Sequence, residues 1–82
     1  MASKIQNINT GLEMLMEDTS VPRNIRRNAE QIKALLSSGS EPMDVRKSRA
    51  INLLDDMAND PNIPMHGRTQ VWNLMSQLET LA

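Results

Sequence analysis

Groups able to do acid–base, nucleophilic or metal chemistry are few in this chain and are not grouped along it. His66 is the single histidine, and there is no cysteine. A zinc site draws three or four ligands from His, Cys and carboxylates. His66 is therefore read as a solvent-facing residue in the first turn of a helix, and no metal or cofactor is expected. The adjacent carboxylates Glu17 with Asp18, and Asp55 with Asp56, diverge on a helix, where side chains meet at spacings of three and four. Ser20, Ser37 and Ser76 have no base at a motif spacing, and glycine is too rare for a phosphate-cradling loop. No catalytic residue is assigned. The chain is read as a non-enzyme with no small-molecule substrate.

Three other sets of residues carry more information. The first is a pair of charged couples, Asp18 with Arg26 and Asp60 with Arg68. Each Asp precedes a helix, where the helix dipole favours a carboxylate. It is expected to accept hydrogen bonds from the first amides of that helix, or to pair with its Arg across the loop. The second set is basic: Arg23, Arg26, Arg27, Arg46, Lys47 and Arg49, with Lys33 nearby, opposed by Glu30, Glu41 and Asp44. On one outer face these side chains would track phosphates, as in an RNA- or ribosome-associated factor. No aromatic residue interleaves them, so base stacking is excluded. The third set is Met65, Trp72, Asn73 and Ser76. Trp and Met are favoured anchors of protein interfaces, and Asn73 and Ser76 continue an uncharged surface.

These sets are positioned by an internal repeat. Shifted by about 42 residues, the halves align without a gap, a period typical of two-helix units. Leu12 falls on Leu54, Asp18 on Asp60, Pro22 on Pro64, Arg26 on Arg68 and Leu36 on Leu78. Repeat one covers residues 3–38 and repeat two 41–82, within one domain, 1–82. Apolar residues recur at helical spacing in four segments. Segment one (3–18) carries Ile5, Ile8, Leu12 and Leu15, with Ser3 and Gln6 spaced as a capping box. Gly11 within it marks a close helix approach. Segment two (22–37) carries Ile25, Ala29, Ile32 and Leu36, and Gly39 follows as a left-handed stop. Segment three (41–58), with Ser40 as its cap, carries Met43, Ala50, Leu53, Leu54 and Met57. Segment four (64–81) carries Val71, Leu74, Met75, Leu78 and Leu81. No stretch alternates with period two. The fold class is all-α: two tandem helical hairpins packed as a four-helix bundle, because each hairpin has one dry face to bury.

Each half, with its apolar helix, Asp, short loop, Arg and second apolar helix, resembles a HEAT-type helical hairpin. The longer, proline-interrupted spacing makes that similarity loose, and two units favour a closed bundle over a solenoid. The whole chain resembles a family of small archaeal helical proteins of unknown function. Asp60, Pro61, Asn62, Ile63 and Pro64, and Arg68 to Asn73, carry that likeness. The resemblance implies a helical bundle in an archaeal cytoplasm and brings no catalytic residues with it.

Composition narrows the remaining choices. A domain this small buries only about 60–65% of its unfolded surface, which favours self-association. A net charge of −1 exerts no general pull on nucleic acid or acidic membranes. The polar start and the lack of a membrane-length apolar run point to a cytoplasmic protein off the membrane. The strongest functional clue is a broken symmetry. Trp72 and Met65 align with Glu30 and Arg23 of repeat one, so one copy of this flank is charged and the other apolar. The expected activity is protein binding through segment four, with a homo-oligomer, a dimer first, or another protein as partner.

Overall fold

The computed structural model describes residues 3–81; Met1, Ala2 and the last residue of repeat two, Ala82, lie outside the described residues. Four helices follow one another: α1 (Lys4–Glu17), α2 (Arg23–Ser37), α3 (Met43–Ala58) and α4 (Met65–Glu79). Ser3 starts α1 as a full capping box. Its hydroxyl accepts from the Gln6 amide at 3.0 Å, and the Gln6 side chain accepts from the Ser3 amide at 3.1 Å. Pro22, Pro42 and Pro64 stand directly before the other three helices. Their fixed φ suits entry into a helix, and their missing N–H costs nothing there.

Two expected helix boundaries are corrected. Helix α3 begins at Met43 rather than Glu41, and Ser40 does not cap it. Pro42 is the cause, because a residue preceding proline is driven out of the helical region. Ser40 pairs its hydroxyl with that of Ser38 instead, at 2.8 Å. Gly39 does not take a positive φ, and α2 stops on Ser38 in extended geometry. A side chain from α3 takes over the stop. Arg46 donates to the Leu36 carbonyl at 2.9 Å, which satisfies an orphan acceptor at the end of α2, and to the Glu41 carbonyl of the connection at 2.8 Å.

The core follows the repeat. Ile8, Leu12, Leu15, Val21, Ile25, Ala29, Ile32 and Leu36 are buried in the first half, and Ala50, Leu54, Met57, Ile63, Val71, Leu74 and Leu78 in the second. Gly67 is also buried, in the place of Ile25. An added Cβ there would lie 3.1 Å from Val21 and 3.2 Å from Ile63, so the two loop residues fill its space. Ile5, Met43, Leu53, Met75 and Leu81, expected on the buried stripes, are half-buried. Residue size is exchanged within aligned positions: Ile8 with Ala50, Ile25 with Gly67, Ala29 with Val71. Close packing of one shared core requires such compensation.

Each helix packs on its chain neighbour, and α4 closes back on α1, while the backbones of the diagonal pairs α1/α3 and α2/α4 stay more than 8 Å apart. Helices equivalent in the two repeats are thus the ones kept apart. HEAT-type arrays stack hairpin on hairpin along a superhelix, whereas here one hairpin is turned against the other and the ring is closed. Gly11 lets α1 and α4 meet: a Cβ there would fall 2.7 Å from Leu74 Cδ2. None of the described helices is long and apolar enough to cross a membrane.

Candidate functional site

The two Asp loops lie at one end of the ring and reach across it. Asp18 Oδ1 accepts from the Ser20 amide at 2.9 Å and the Ser20 hydroxyl at 2.5 Å. Its Oδ2 contacts His66 Nε2 at 2.8 Å. In the other loop Asp60 Oδ1 accepts from the Asn62 amide, and Oδ2 from Asn24 Nδ2, both at 2.8 Å. His66 and Asn24 are aligned positions, so each repeat braces the other in the same way. This corrects the expected role of the two Asp residues: neither bonds the first amides of its own following helix or its own Arg. The Ser20 hydroxyl, the Ser20 amide and then His66 draw the Asp18 carboxyl from its ordinary 3.8 down to about 2. Asp60 is lowered by the Asn24 side chain first and the Asn62 amide second.

Ser20, His66 and Asp18 are three residues that a hydrolase would use, and the fold brings them together from positions 46 to 48 apart. Sequence reasoning set Ser20 and His66 aside because no motif links them; the signal was their alignment with Asn62 and Asn24. Their geometry is not that of a catalytic relay. Such a relay needs one ring nitrogen on the serine and the other on the carboxylate. Here His66 Nε2 faces both Asp18 Oδ2 and Ser20 Oγ, the latter at 3.1 Å. A carboxylate only accepts, so Nε2 carries the proton and has no lone pair for the serine. The aligned Asp60, Asn62 and Asn24 perform the same bracing with amides that have no acid–base chemistry. Among the described residues, no three His, Cys, Asp or Glu side chains converge to hold a metal ion.

The six basic residues divide into two groups. Arg46 is bonded to carbonyls, as above. Lys47 Nζ donates to the carbonyls of Glu79 at 3.3 Å and Leu81 at 3.0 Å, and Arg49 pairs with the Glu41 carboxylate at 3.0 Å. Arg23, Arg26 and Arg27 lie apart from these. They line a groove beside the first turn of α2 with Met16 and Glu30. Arg26 and its aligned residue Arg68 differ. Arg68 Nε donates to the Ala58 carbonyl at 3.0 Å, while Arg26 Nε is buried without an acceptor.

Trp72 and Met65 are 52% and 66% exposed. They lie two turns apart on the α4 flank away from α1, with a rise of about 10 Å between them. Asn73 and Ser76 are exposed beside them. Met14 is 61% exposed but borders the opposite α4 flank, with His66 and Gln70.

Comparison with known proteins agrees with this architecture and assigns no activity to it. A family model described as an uncharacterised protein family, UPF0147, matches residues 1–81. A UPF0147 protein of Methanosarcina mazei is 51% identical over 70 residues, 85% of this chain and 75% of its own. One from Archaeoglobus fulgidus is 42% identical over 83 residues, 100% of this chain and 94% of its own. Two crystal structures share the fold. The protein of unknown function MMP1188 has a TM-score of 0.90 at 47% identity, covering 96% of this chain and 90% of its own. A UPF0147 protein of Thermoplasma acidophilum has a TM-score of 0.92 at 40% identity, covering 96% and 93%. With its closed ring of two braced hairpins matched along nearly its whole length, this chain belongs to the uncharacterised protein family UPF0147.

Proposed function

We propose that this protein is a non-enzymatic binding module that pairs with a second copy of itself through the Trp72 flank of α4. One observation carries the reading: Met65 and Trp72 stand exposed where the aligned residues of repeat one are Arg23 and Glu30. A solvated face has no use for an indole, and repeat one shows what a solvated face looks like at the same place in the fold. Half-exposed Trp and Met beside uncharged Thr69, Asn73 and Ser76 match the make-up of an interface core.

The absence of charge also argues for self-pairing. A two-fold contact sets the same patch against itself, so a charge near the axis would meet its like. Along α4 the acidic and basic side chains are His66, Arg68 and Glu79; His66 is bonded to Asp18 on the opposite flank, and Arg68 is held by the Ala58 carbonyl. A stable interface covers about 800 Å² per partner, roughly a sixth of the 4983 Å² surface of this chain. Trp72 and Met65 alone are too few for that, so the contact takes in Thr69, Asn73 and Ser76 and reaches beyond α4.

Light scattering coupled to size exclusion tests the proposal. The wild type is expected to run as a dimer at micromolar concentration, and Trp72→Glu as a monomer with its helical content intact. Equal monomeric mass for both proteins up to millimolar concentration overturns it.

A further inference from the structure

We infer that the groove between the end of α1 and the first turn of α2 binds a single phosphate-class dianion. The inference is independent of the pairing proposed for α4. Arg23, Arg26 and Arg27 line this groove with Met16 and Glu30. Their spacing puts all three on one side of a helical turn about 5.4 Å high, which is the size of one tetrahedral oxyanion. Among the described residues, none of the three takes part in an ion pair or a side-chain hydrogen bond; the ion pairs found use Lys33, Arg49 and His66. Glu30, one turn along the same face, is the acidic residue in the groove lining, and it pairs with none of them.

The repeat supplies the second observation. In repeat two the aligned arginine, Arg68, has a structural task at the Ala58 carbonyl. In repeat one Met16 stands at the place of Ala58, and Arg26 Nε is sealed from solvent with no acceptor. That sealed Nε lies out of a ligand's reach, but unlike Arg68 the Arg26 guanidinium has no structural task, and its terminal nitrogens, also without an acceptor among the described residues, are what it offers an oxyanion. The α2 N-terminus adds to the field. Pro22 offers no side-chain cap, and the one carboxylate bonded in that first turn, Asp60, is held at the Asn24 side chain.

The size of the free patch selects the ligand class. A phosphodiester tract needs cations spread along its length, and Arg46, Lys47 and Arg49 are engaged within the molecule. No aromatic side chain lines the groove to stack a base. What remains is one cluster of three guanidinium groups, whose forked donors suit the terminal oxygens of a phosphate or phosphomonoester.

The test is an NMR titration of the full chain with inorganic phosphate, and separately with glycerol phosphate, against chloride at matched ionic strength. Saturable shifts are expected at Arg26 Nε–H and the amides of Asn24 to Arg27. Preference for one phosphate source identifies a free ion or an ester, and either supports the site. The double variant Arg23→Gln/Arg27→Gln is expected to bind about tenfold more weakly or worse. Arg49→Gln, already paired with Glu41, is expected to bind as the wild type does. Shifts that do not saturate, that chloride reproduces, or that survive in the double variant overturn the inference. So does a single-stranded RNA without a terminal phosphate that binds more tightly than either probe and perturbs Arg46 and Lys47 as well.

Discussion

At the residue scale, the two aspartates are the most constrained charges in the molecule. Each carboxylate holds its own loop through one oxygen and the opposite repeat through the other. Asp18 has the clearer signature, since its carboxyl is drawn down to about 2 from 3.8. The folded state therefore binds its proton less readily than the unfolded chain does. The stability contributed by Asp18 is complete above about pH 4 and is lost as pH falls toward about 2. Asp18→Asn keeps the shape and removes that titration. Its melting temperature is expected to be lower than the wild type at neutral pH, with a shallower decline below about pH 4. Thermal melts followed by circular dichroism read this directly. Parallel pH profiles for the two proteins would contradict the assignment. Asp60, lowered chiefly by Asn24, carries a contribution of the same sign.

At the element scale, the decisive contact is that of α1 with α4. A Cβ on Gly11 would stand 2.7 Å from Leu74 Cδ2 and 2.8 Å from Gln70 Nε2. Gln70 can swing away, at the loss of its 3.3 Å bond to the Gly11 carbonyl. Leu74 is fully buried and has nowhere to go. Overpacking costs about 1–3 kcal/mol, against the ~1 kcal/mol that alanine returns in a helix. Gly11→Ala is thus expected to lower stability by about 1 kcal/mol in urea unfolding. Gly39→Ala is the matched control. Nothing lies within 4 Å of its added Cβ and φ is not positive, so a gain of about 0.4–1 kcal/mol is expected. A stabilised Gly11→Ala would mean that the two helices have room to part.

At the scale of the whole molecule, neither hairpin is complete. The buried residues form one cluster drawn from both repeats, and the loop braces run between repeats rather than within them. A peptide of residues 1–40 would expose the apolar face of α1 and α2 together, with the His66 partner of Asp18 and the Asp60 partner of Asn24 missing. It is not expected to fold as a monomer: circular dichroism should show weak helix, or helix that rises with concentration as two copies close the ring. A cooperative, concentration-independent melt of that peptide would refute the dependence. The same closure leaves the outer flanks free to diverge. One is charged at Arg23 and Glu30, the other apolar at Met65 and Trp72, and the pairing proposed for α4 rests on that difference.

Helix positions, their buried faces and the repeat were legible in the sequence, because they depend on local periodicity. Leu12, Leu54, Ile32 and Leu74 lie on the expected stripes, and Ser3, Pro22 and Pro64 start helices where their chemistry dictates. The exceptions are local too: Pro42 displaced the start of α3, and Arg46 removed the need for a glycine stop. Tertiary structure alone decided which helices touch. It also decided that Asp18 meets His66 and Asp60 meets Asn24, across separations of 48 and 36 residues. It took Lys47 and Arg49 out of the basic surface and left Arg26 without a partner. The physical reason is that periodicity fixes which side of a helix is dry, whereas the partner of a polar side chain depends on how that helix is rotated against its neighbours.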